Sequence, residues 1–169
     1  MAHEAKKLAE IYNISQDKAY LAGLLHDCAK NCEEKYIKTF DISLTIYPVS
    51  SINDPTLHSF LGAEVAKRVY NIDDDEVLNA ISFHTTGKKN MDTLAKIIFI
   101  ADAIEPGRSY PKVDVFRELS KKNLNDCMLG LLDNSICFLI SKESFINPLT
   151  LEARNYFIEV KHGKIRYNR

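Results

Sequence analysis

A histidine and an aspartate, His26 and Asp27, are adjacent and directly follow a short apolar stretch. The apolar positions around this pair recur at helical spacing: Leu21, Leu24, Leu25 and Cys28. That spacing predicts a core-facing helix that runs into the pair and ends at Lys30. A carboxylate beside a buried face needs a partner. A cation bound by both residues is one solution, and a backbone hydrogen bond or a helix cap is the simpler one for a two-residue motif.

Three further residues strengthen the metal interpretation. Asp102 lies within the apolar segment 97–104, where nothing local is expected to satisfy a charge, so its carboxylate should pair with a base or bind a metal. His58 and His84 each lie near the core face of an apolar helix, where a lone histidine is more often hydrogen-bonded than metal-bound. Together, three imidazoles and two carboxylates from four helices suit iron, manganese or zinc better than magnesium or calcium.

Helical periodicity dominates the elements that must position these residues. The predicted helices cover residues 1–13, 15–30, part of 33–49, 54–70, 73–84, 92–105, 113–122, 124–143 and a last segment beginning near Pro148. Ser15 and the Asp54–Pro55 pair are interpreted as helix starts, and the acidic run 73–76 as a solvated helix start. We find neither strand-like alternation nor a repeat nor a linker, so we predict an all-α fold in one domain, residues 1–169.

The composition limits the classes of partner. Lysine plus arginine (22) nearly balance aspartate plus glutamate (23), so no net field favours nucleic acid or a membrane surface. A local cluster of positive charge could still bind a small anion. The four cysteines form no C-x-x-C pair, no signal peptide opens the chain, and the longest apolar run is too short to span a bilayer. These features predict a cytoplasmic protein.

Four segments of the chain resemble the YqeK family of HD-domain metal phosphohydrolases. They are L-A-G-L-L-H-D-C-A-K (21–30), F-H-T-T-G (83–87), A-D-A-I-E-P-G-R (101–108) and T-L-E-A-R-N (150–155). The second and third are far more specific than the His–Asp pair. The resemblance implies an HD-type helical bundle with a metal site between helices. It also implies an iron-dependent enzyme that hydrolyses diadenosine tetraphosphate and related dinucleoside polyphosphates symmetrically to two ADP.

The resemblance also implies roles for individual residues. The implied metal ligands are His26, Asp27 and Asp102, with His58 and His84 holding a second metal or the substrate phosphates. The implied catalytic residues are His26, Asp27, Lys30, Asp102 and Arg108. The implied substrate-binding residues are Lys30, His58, His84, Thr85, Asp102, Arg108, Ile146, Asn147, Pro148, Leu149 and Thr150. The implied cofactor is iron, as one or two ions, with manganese or another divalent transition metal as the alternative.

The chain departs from the family at its first helix. The family has a further metal-binding histidine there, in a segment like His-Ser-Leu-Gly-Val, which matching through residues 8–12 places a few residues before Met1. The first predicted helix also begins without a capping residue, so we expect it to be truncated at its N-terminus. His3 cannot replace the missing histidine. It lies six residues after the expected position of that histidine, which is about 600° around the helix and roughly 9 Å along it, and it should face solvent.

Several alternatives stay open at this level. Without the first-helix histidine, the chain could be a non-catalytic nucleotide-binding module, and another HD-domain nucleotide phosphohydrolase is a closer alternative. Lys30 and Arg108 could contact phosphate or could be ordinary surface charges. The apolar first and last helices could pack on each other or on a second copy in a homodimer.

Overall fold

The computed structural model describes residues 1–164, and positions 165–169 of the expected single domain lie outside the described residues. The regular elements of this part are α1 (Ala2–Ile11), α2 (Gln16–Leu25), α3 (Glu33–Phe40), a 3₁₀ turn (Leu44–Ile46), α4 (Leu57–Tyr70), α5 (Asp75–Ser82), α6 (Thr93–Ile104), α7 (Val113–Ser120), α8 (Leu124–Ser141) and α9 (Pro148–Lys161). Residues 1–164 contain no β-strand, and the all-α prediction is confirmed.

Helix α6 lies at the centre of the bundle. Its residues 94–101 and 104 are buried, as its almost wholly apolar sequence predicts. It packs against α1, α2, α5, α7 and α8. Asp92 begins the helix by accepting the N–H of Ala95 at 2.7 Å, which satisfies one of the free donors of the first turn. The positions of the surrounding helices are therefore fixed relative to α6.

Side-chain caps begin two of the helices near the site. Ser15 accepts the N–H of Lys18 (3.3 Å) at the start of α2. Asp74 accepts the N–H groups of Glu76 and Val77 (3.0 and 3.1 Å) at the start of α5, so the acidic run is a helix start, as predicted. Lys18 pairs with both Asp74 and Glu76 (2.8 and 2.6 Å). These ion pairs join α2 to α5.

The predicted buried face of α2 is partly wrong. Leu24 was expected in the core but is 60% exposed. The buried residues of α2 are Ala19, Ala22, Gly23 and Leu25. A Cβ atom at Gly23 would lie only 2.9 Å from the Cα atom of Ala2, so α1 approaches α2 too closely for large side chains. The helix also ends at Leu25, and the His–Asp pair lies in the turns that follow.

The start of α4 also differs from its prediction. The helix begins at Leu57, and Thr56 rather than Asp54 occupies its N-cap position. The Asp54 carboxylate instead accepts hydrogen bonds from Ser50 and Thr56 on either side of it. Asp54 therefore closes the loop before α4 instead of capping the helix.

Among residues 1–164, one helix is long and apolar enough to cross a membrane by length and composition alone. This helix is α8, whose apolar residues are interrupted by polar ones, so it contains no long unbroken apolar run. Of its residues, 33% are buried within the bundle, where its first half packs against α6, α7 and α9. Core helices of globular proteins often reach the same length and apolar content, so this feature is weak support for a membrane span.

Candidate metal centre

Five side chains predicted as candidate ligands come together between α2, α4, α5 and α6. His26 follows the last residue of α2, and Asp27 is the next residue in the same turn. His58 lies in the first turn of α4, His84 lies in the turn after α5, and Asp102 lies in the last turn of α6. Each ligand thus comes from the end of a helix, where the chain can direct a polar side chain out of the packed core.

Asp27 lies at the centre of the cluster. Its Oδ1 atom is 3.2 Å from Nε2 of His58 and 3.4 Å from Nε2 of His84. Its Oδ2 atom is 3.5 Å from Nε2 of His26 and accepts a hydrogen bond from Lys30 Nζ at 2.7 Å. Burial acts to raise the pKa of this carboxyl group, but the imidazoles and the Lys30 ammonium hold the pKa well below its usual range. Asp27 is therefore an anion at neutral pH.

The three histidines share one hydrogen-bonding pattern. Each Nδ1 atom lies close to the carbonyl oxygen of the residue three positions earlier: His26 to Gly23 (2.8 Å), His58 to Pro55 (2.7 Å) and His84 to Ile81 (2.8 Å). A carbonyl oxygen only accepts, so each Nδ1 carries a proton and donates it. In the neutral ring the Nε2 atom then presents a lone pair. All three Nε2 atoms lie within 3.5 Å of an Asp27 carboxylate oxygen, and those of His58 and His84 lie 3.3 Å from each other.

This arrangement fits a bound cation. The Asp27 Oδ1 atom is buried and has no hydrogen-bond partner among the described residues. Donor atoms of His26, Asp27 and His84 all lie within 4.8 Å of one another. Lone pairs that converge on a carboxylate repel each other unless a positive charge lies between them. A mixed nitrogen and oxygen donor set suits a divalent transition metal.

The surroundings of Asp102 differ from the prediction. We expected nothing local to satisfy its charge, but Arg108 folds back over the end of α6 and donates Nη2–H to Asp102 Oδ1 at 2.7 Å. The expectation was wrong because α6 ends at Ile104 and the turn that follows brings the Arg108 side chain to Asp102. The same oxygen is 3.7 Å from Nε2 of His26. The three residues whose donor atoms lie within 4.8 Å of one another are therefore His26, Asp27 and His84. Asp102 lies next to this group and approaches it at His26.

Two cations and one hydroxyl group lie at the edge of this cluster. Lys30 and Arg108 are each about half exposed, with 47% and 44% of their side chains accessible. Their charged ends contact Asp27 and Asp102, respectively. The Thr85 hydroxyl oxygen lies 3.3 Å from Nε2 of His58. An anion that approaches the cluster from solvent would meet these groups.

The segment 146–150 is connected to the cluster through the loop before α4. Asn147 begins α9 by accepting the N–H of Leu149 at 3.0 Å. Its amide also donates to the Pro48 carbonyl (2.7 Å) and to the Thr56 hydroxyl (3.1 Å), two residues before His58. These contacts account for the burial of Asn147, and the binding of a nucleotide by the segment stays a prediction.

Gly62 was not singled out from the sequence, although it affects the position of the ligands. It lies on α4, four residues after His58, and a Cβ atom there would be 3.3 Å from the carbonyl oxygen of His26. Cys28 Sγ donates to the Gly62 carbonyl at 3.4 Å. A glycine inside a helix, one turn after a candidate ligand, was the available signal.

His3 lies outside the cluster. It is exposed, as predicted, and its ring lies 5.3 Å from that of Tyr20.

Comparison with known proteins gives consistent matches. A family model described as "HD domain" matches residues 1–107, a range that contains all five candidate ligands. A protein of Halalkalibacterium halodurans named "Bis(5'-nucleosyl)-tetraphosphatase, symmetrical" is 40% identical over 152 residues, which are 89% of this chain and 81% of the relative. A protein of Staphylococcus aureus with the same name is 34% identical over 163 residues, covering 93% and 82%.

A solved structure is also similar. It is a crystal structure from Clostridium acetobutylicum described as a "predicted HD superfamily hydrolase involved in NAD metabolism". It is 46% identical to this chain and superposes with a TM-score of 0.85. The match covers 94% of this chain and 85% of that one.

Proposed function

Since this chain belongs to the HD-domain family, and within it to the YqeK family, we propose that it is a metal-dependent phosphoanhydride hydrolase. The proposed substrates are diadenosine tetraphosphate and related dinucleoside polyphosphates, cleaved symmetrically to give two ADP. The names of the relatives support this substrate class. The metal centre supports the reaction type, and both are needed for the proposal.

One observation carries the chemical part of the proposal. Three imidazoles use Nδ1 to donate to backbone carbonyls and direct Nε2 at Asp27, whose Oδ1 atom is buried without a hydrogen-bond partner among the described residues. A divalent cation would satisfy the nitrogen lone pairs and the carboxylate together.

We propose that His26, Asp27 and His84 hold this ion, with His58 and Asp102 as neighbouring donors. Iron is the proposed ion and manganese the alternative, because a mixed imidazole and carboxylate set suits both. A bound divalent metal supplies Lewis acidity towards phosphoryl oxygen and makes water more acidic near neutral pH. The His26 pKa is lowered, chiefly by burial and then by the neighbouring His84. This shift keeps the ring in the neutral form that a metal requires.

The cations at the edge of the cluster have the chemistry that the substrate requires. Hydrolysis of the central anhydride adds water across one P–O–P bond, and negative charge grows on the phosphoryl oxygens and on the leaving ADP. Arg108 can bind two phosphate oxygens at once and Lys30 can act as a point charge. Asp102 Oδ1 faces both His26 and Arg108, where it could orient the attacking water. The proposed roles combine charge neutralisation with orientation.

Product analysis tests the proposal. The protein is incubated with ferrous iron and diadenosine tetraphosphate without oxygen, and nucleotides are separated by chromatography. We expect ADP as the sole adenine product, and AMP together with ATP would contradict symmetrical cleavage. Loss of a residue that only supports a metal ligand costs up to about a hundredfold in activity. Asp27 is a proposed ligand itself, so Asp27→Asn should lower turnover by more than this. His3→Ala is the matched control, since His3 is exposed and lies outside the cluster, and it should keep full activity.

A further inference from the structure

The C-terminus of α6 is covered by side chains from the following segment. The last carbonyl groups of a helix lack partners within it. Here they accept hydrogen bonds as follows: Asp102 O from Arg108 Nε, Ala103 O from the Tyr110 hydroxyl, Ile104 O from Arg117 Nε, and Glu105 O from Arg117 Nη2, each at 3.0 Å. Arg117 thus completes the end of the central helix, from the neighbouring helix α7.

Arg117 binds both ends of the turn that follows α6. Its Nη2 atom donates to the carbonyl oxygen of Arg108 at 3.0 Å, in addition to that of Glu105. Its Nη1 atom pairs with Asp114 at 2.7 Å. A guanidinium group is planar and its donors have fixed directions, so the carbonyl groups of Ile104, Glu105 and Arg108 are held at fixed positions relative to one another.

We propose that Arg117 is a positioning residue that holds Arg108 in place for phosphate binding. The backbone of Arg108 is fixed by Arg117, and its side chain extends from this point to Asp102 at 2.7 Å. The inference rests on the proposed function, in which Arg108 contacts phosphate. Arg117 lies outside residues 1–107, which the family model matches.

This role predicts a selective defect. Arg117 hydrogen-bonds to the turn 104–108 and to Asp114, whereas His26, Asp27 and His84 come from other elements. Loss of Arg117 should therefore weaken the binding of the substrate phosphates through Arg108 and leave the affinity for the metal unchanged. A purely structural role would instead lower stability, metal affinity and activity together.

The test is a double-mutant cycle on the full chain. Arg117→Gln removes the charge and the fork of donors, and it should raise the KM for diadenosine tetraphosphate about tenfold, equivalent to one charged hydrogen bond, with a smaller change in kcat. Arg117→Lys should lie between this variant and the wild type. In an Arg108→Ala background, Arg117→Gln should have no further effect on KM. Arg68→Gln is the matched control, because the Arg68 guanidinium also binds a carboxylate and a backbone carbonyl, those of Glu64 and Phe40, and it should leave KM unchanged.

The outcomes separate this inference from the proposed function. If the wild type produces no ADP, the proposed function fails, and the same cycle is read from the affinity for ADP by calorimetry. An unchanged KM or ADP affinity in Arg117→Gln would overturn the inference. An equal loss with and without Arg108, or a parallel loss of iron affinity, would also overturn it. If a wild type that produces no ADP also binds none, both proposals are overturned.

Discussion

Single atoms decide what the metal centre can bind. The Nδ1 atoms of His26, His58 and His84 donate hydrogen bonds to backbone carbonyl groups. Each Nε2 atom is therefore the ring nitrogen available to bind a metal. Asp27 stays ionised because the cations and imidazoles around it lower its pKa more than burial raises it. Asp27 therefore presents a carboxylate at neutral pH, which is the form that binds a metal.

Asp54 gives a prediction at the residue scale. Its carboxylate accepts four hydrogen bonds, two from Ser50 and two from Thr56, between 2.7 and 3.1 Å. Burial acts to raise the Asp54 pKa, but these bonds outweigh burial and lower it. Below about pH 4 the unfolded state binds more protons than the folded state, so this stabilisation is present above that pH and is lost as the pH falls through the folded pKa.

We therefore expect Asp54→Asn to lower the free energy of unfolding by about 1–3 kcal/mol at pH 7. The difference from the wild type should narrow at pH 3.5 (roughly the carboxyl range). Urea unfolding at the two pH values measures both effects. Asp73→Asn is the control, because the Asp73 side chain is 92% exposed, and it should change neither value. A gap for Asp54→Asn that is the same at both pH values would contradict the assignment.

At the scale of elements, the important contact is between α4 and the turn after α2. His58 and Gly62 are one turn apart on α4, and the turn that carries His26 and Asp27 lies against Gly62. The absence of a side chain at this position allows α4 to approach the turn. The 3.2 Å distance between His58 Nε2 and Asp27 Oδ1 depends on this approach.

We expect Gly62→Ala to destabilise the protein and to weaken metal binding. Alanine favours a helix by about 1 kcal/mol over glycine. However, its Cβ atom would lie 3.2 Å from Ile81 Cγ2 and 3.3 Å from the His26 carbonyl oxygen, and overpacking costs roughly 1–3 kcal/mol. Thermal unfolding and metal titration measure the two effects.

Two further variants separate the causes. Adding Ile81→Leu removes the γ2 methyl group, so it should restore stability but not metal affinity. Gly130→Ala is the matched control: its Cβ atom would lie 2.7 Å from Phe116 Cε1, between α7 and α8, so it should lower stability alone. Full metal affinity in Gly62→Ala would show that the spacing of α4 and the turn does not control the site.

At the scale of the whole molecule, the candidate metal centre joins four helices that are far apart in the sequence. Its donors lie between residues 26 and 102 and come from the ends of α2, α4, α5 and α6. The unfolded chain cannot keep these donors together, so a metal binds the folded state alone. Metal binding is then coupled to the folding of the entire bundle.

Metal removal should consequently lower the melting temperature. At a free metal concentration a hundred times the Kd, binding adds about 2.7 kcal/mol to the free energy of unfolding. Calorimetry of protein that has been stripped of metal with a chelator, before and after addition of ferrous iron, measures the shift in melting temperature. His84→Ala should abolish the shift, and His3→Ala should retain it. If both variants kept the same shift as the wild type, the ion would bind elsewhere.

The sequence by itself determined the helices and the types of residue in the site. Helical periodicity and helix starts such as Ser15 and the acidic run 73–76 depend on residues within one or two turns, so the local sequence was enough to predict them. The start predicted at Asp54 is wrong. The five candidate ligands were identifiable because imidazoles and carboxylates are costly in apolar helices without partners.

Only the tertiary structure decided which groups meet and which faces are buried. Leu24 is exposed because α1 covers the small residues of α2. Asp102 pairs with Arg108 because of the turn that follows α6. Arg117 holds the end of α6 from another helix. These contacts depend on distances between elements that lie far apart in the sequence or on the direction of a turn. Helical periodicity carries no information about either.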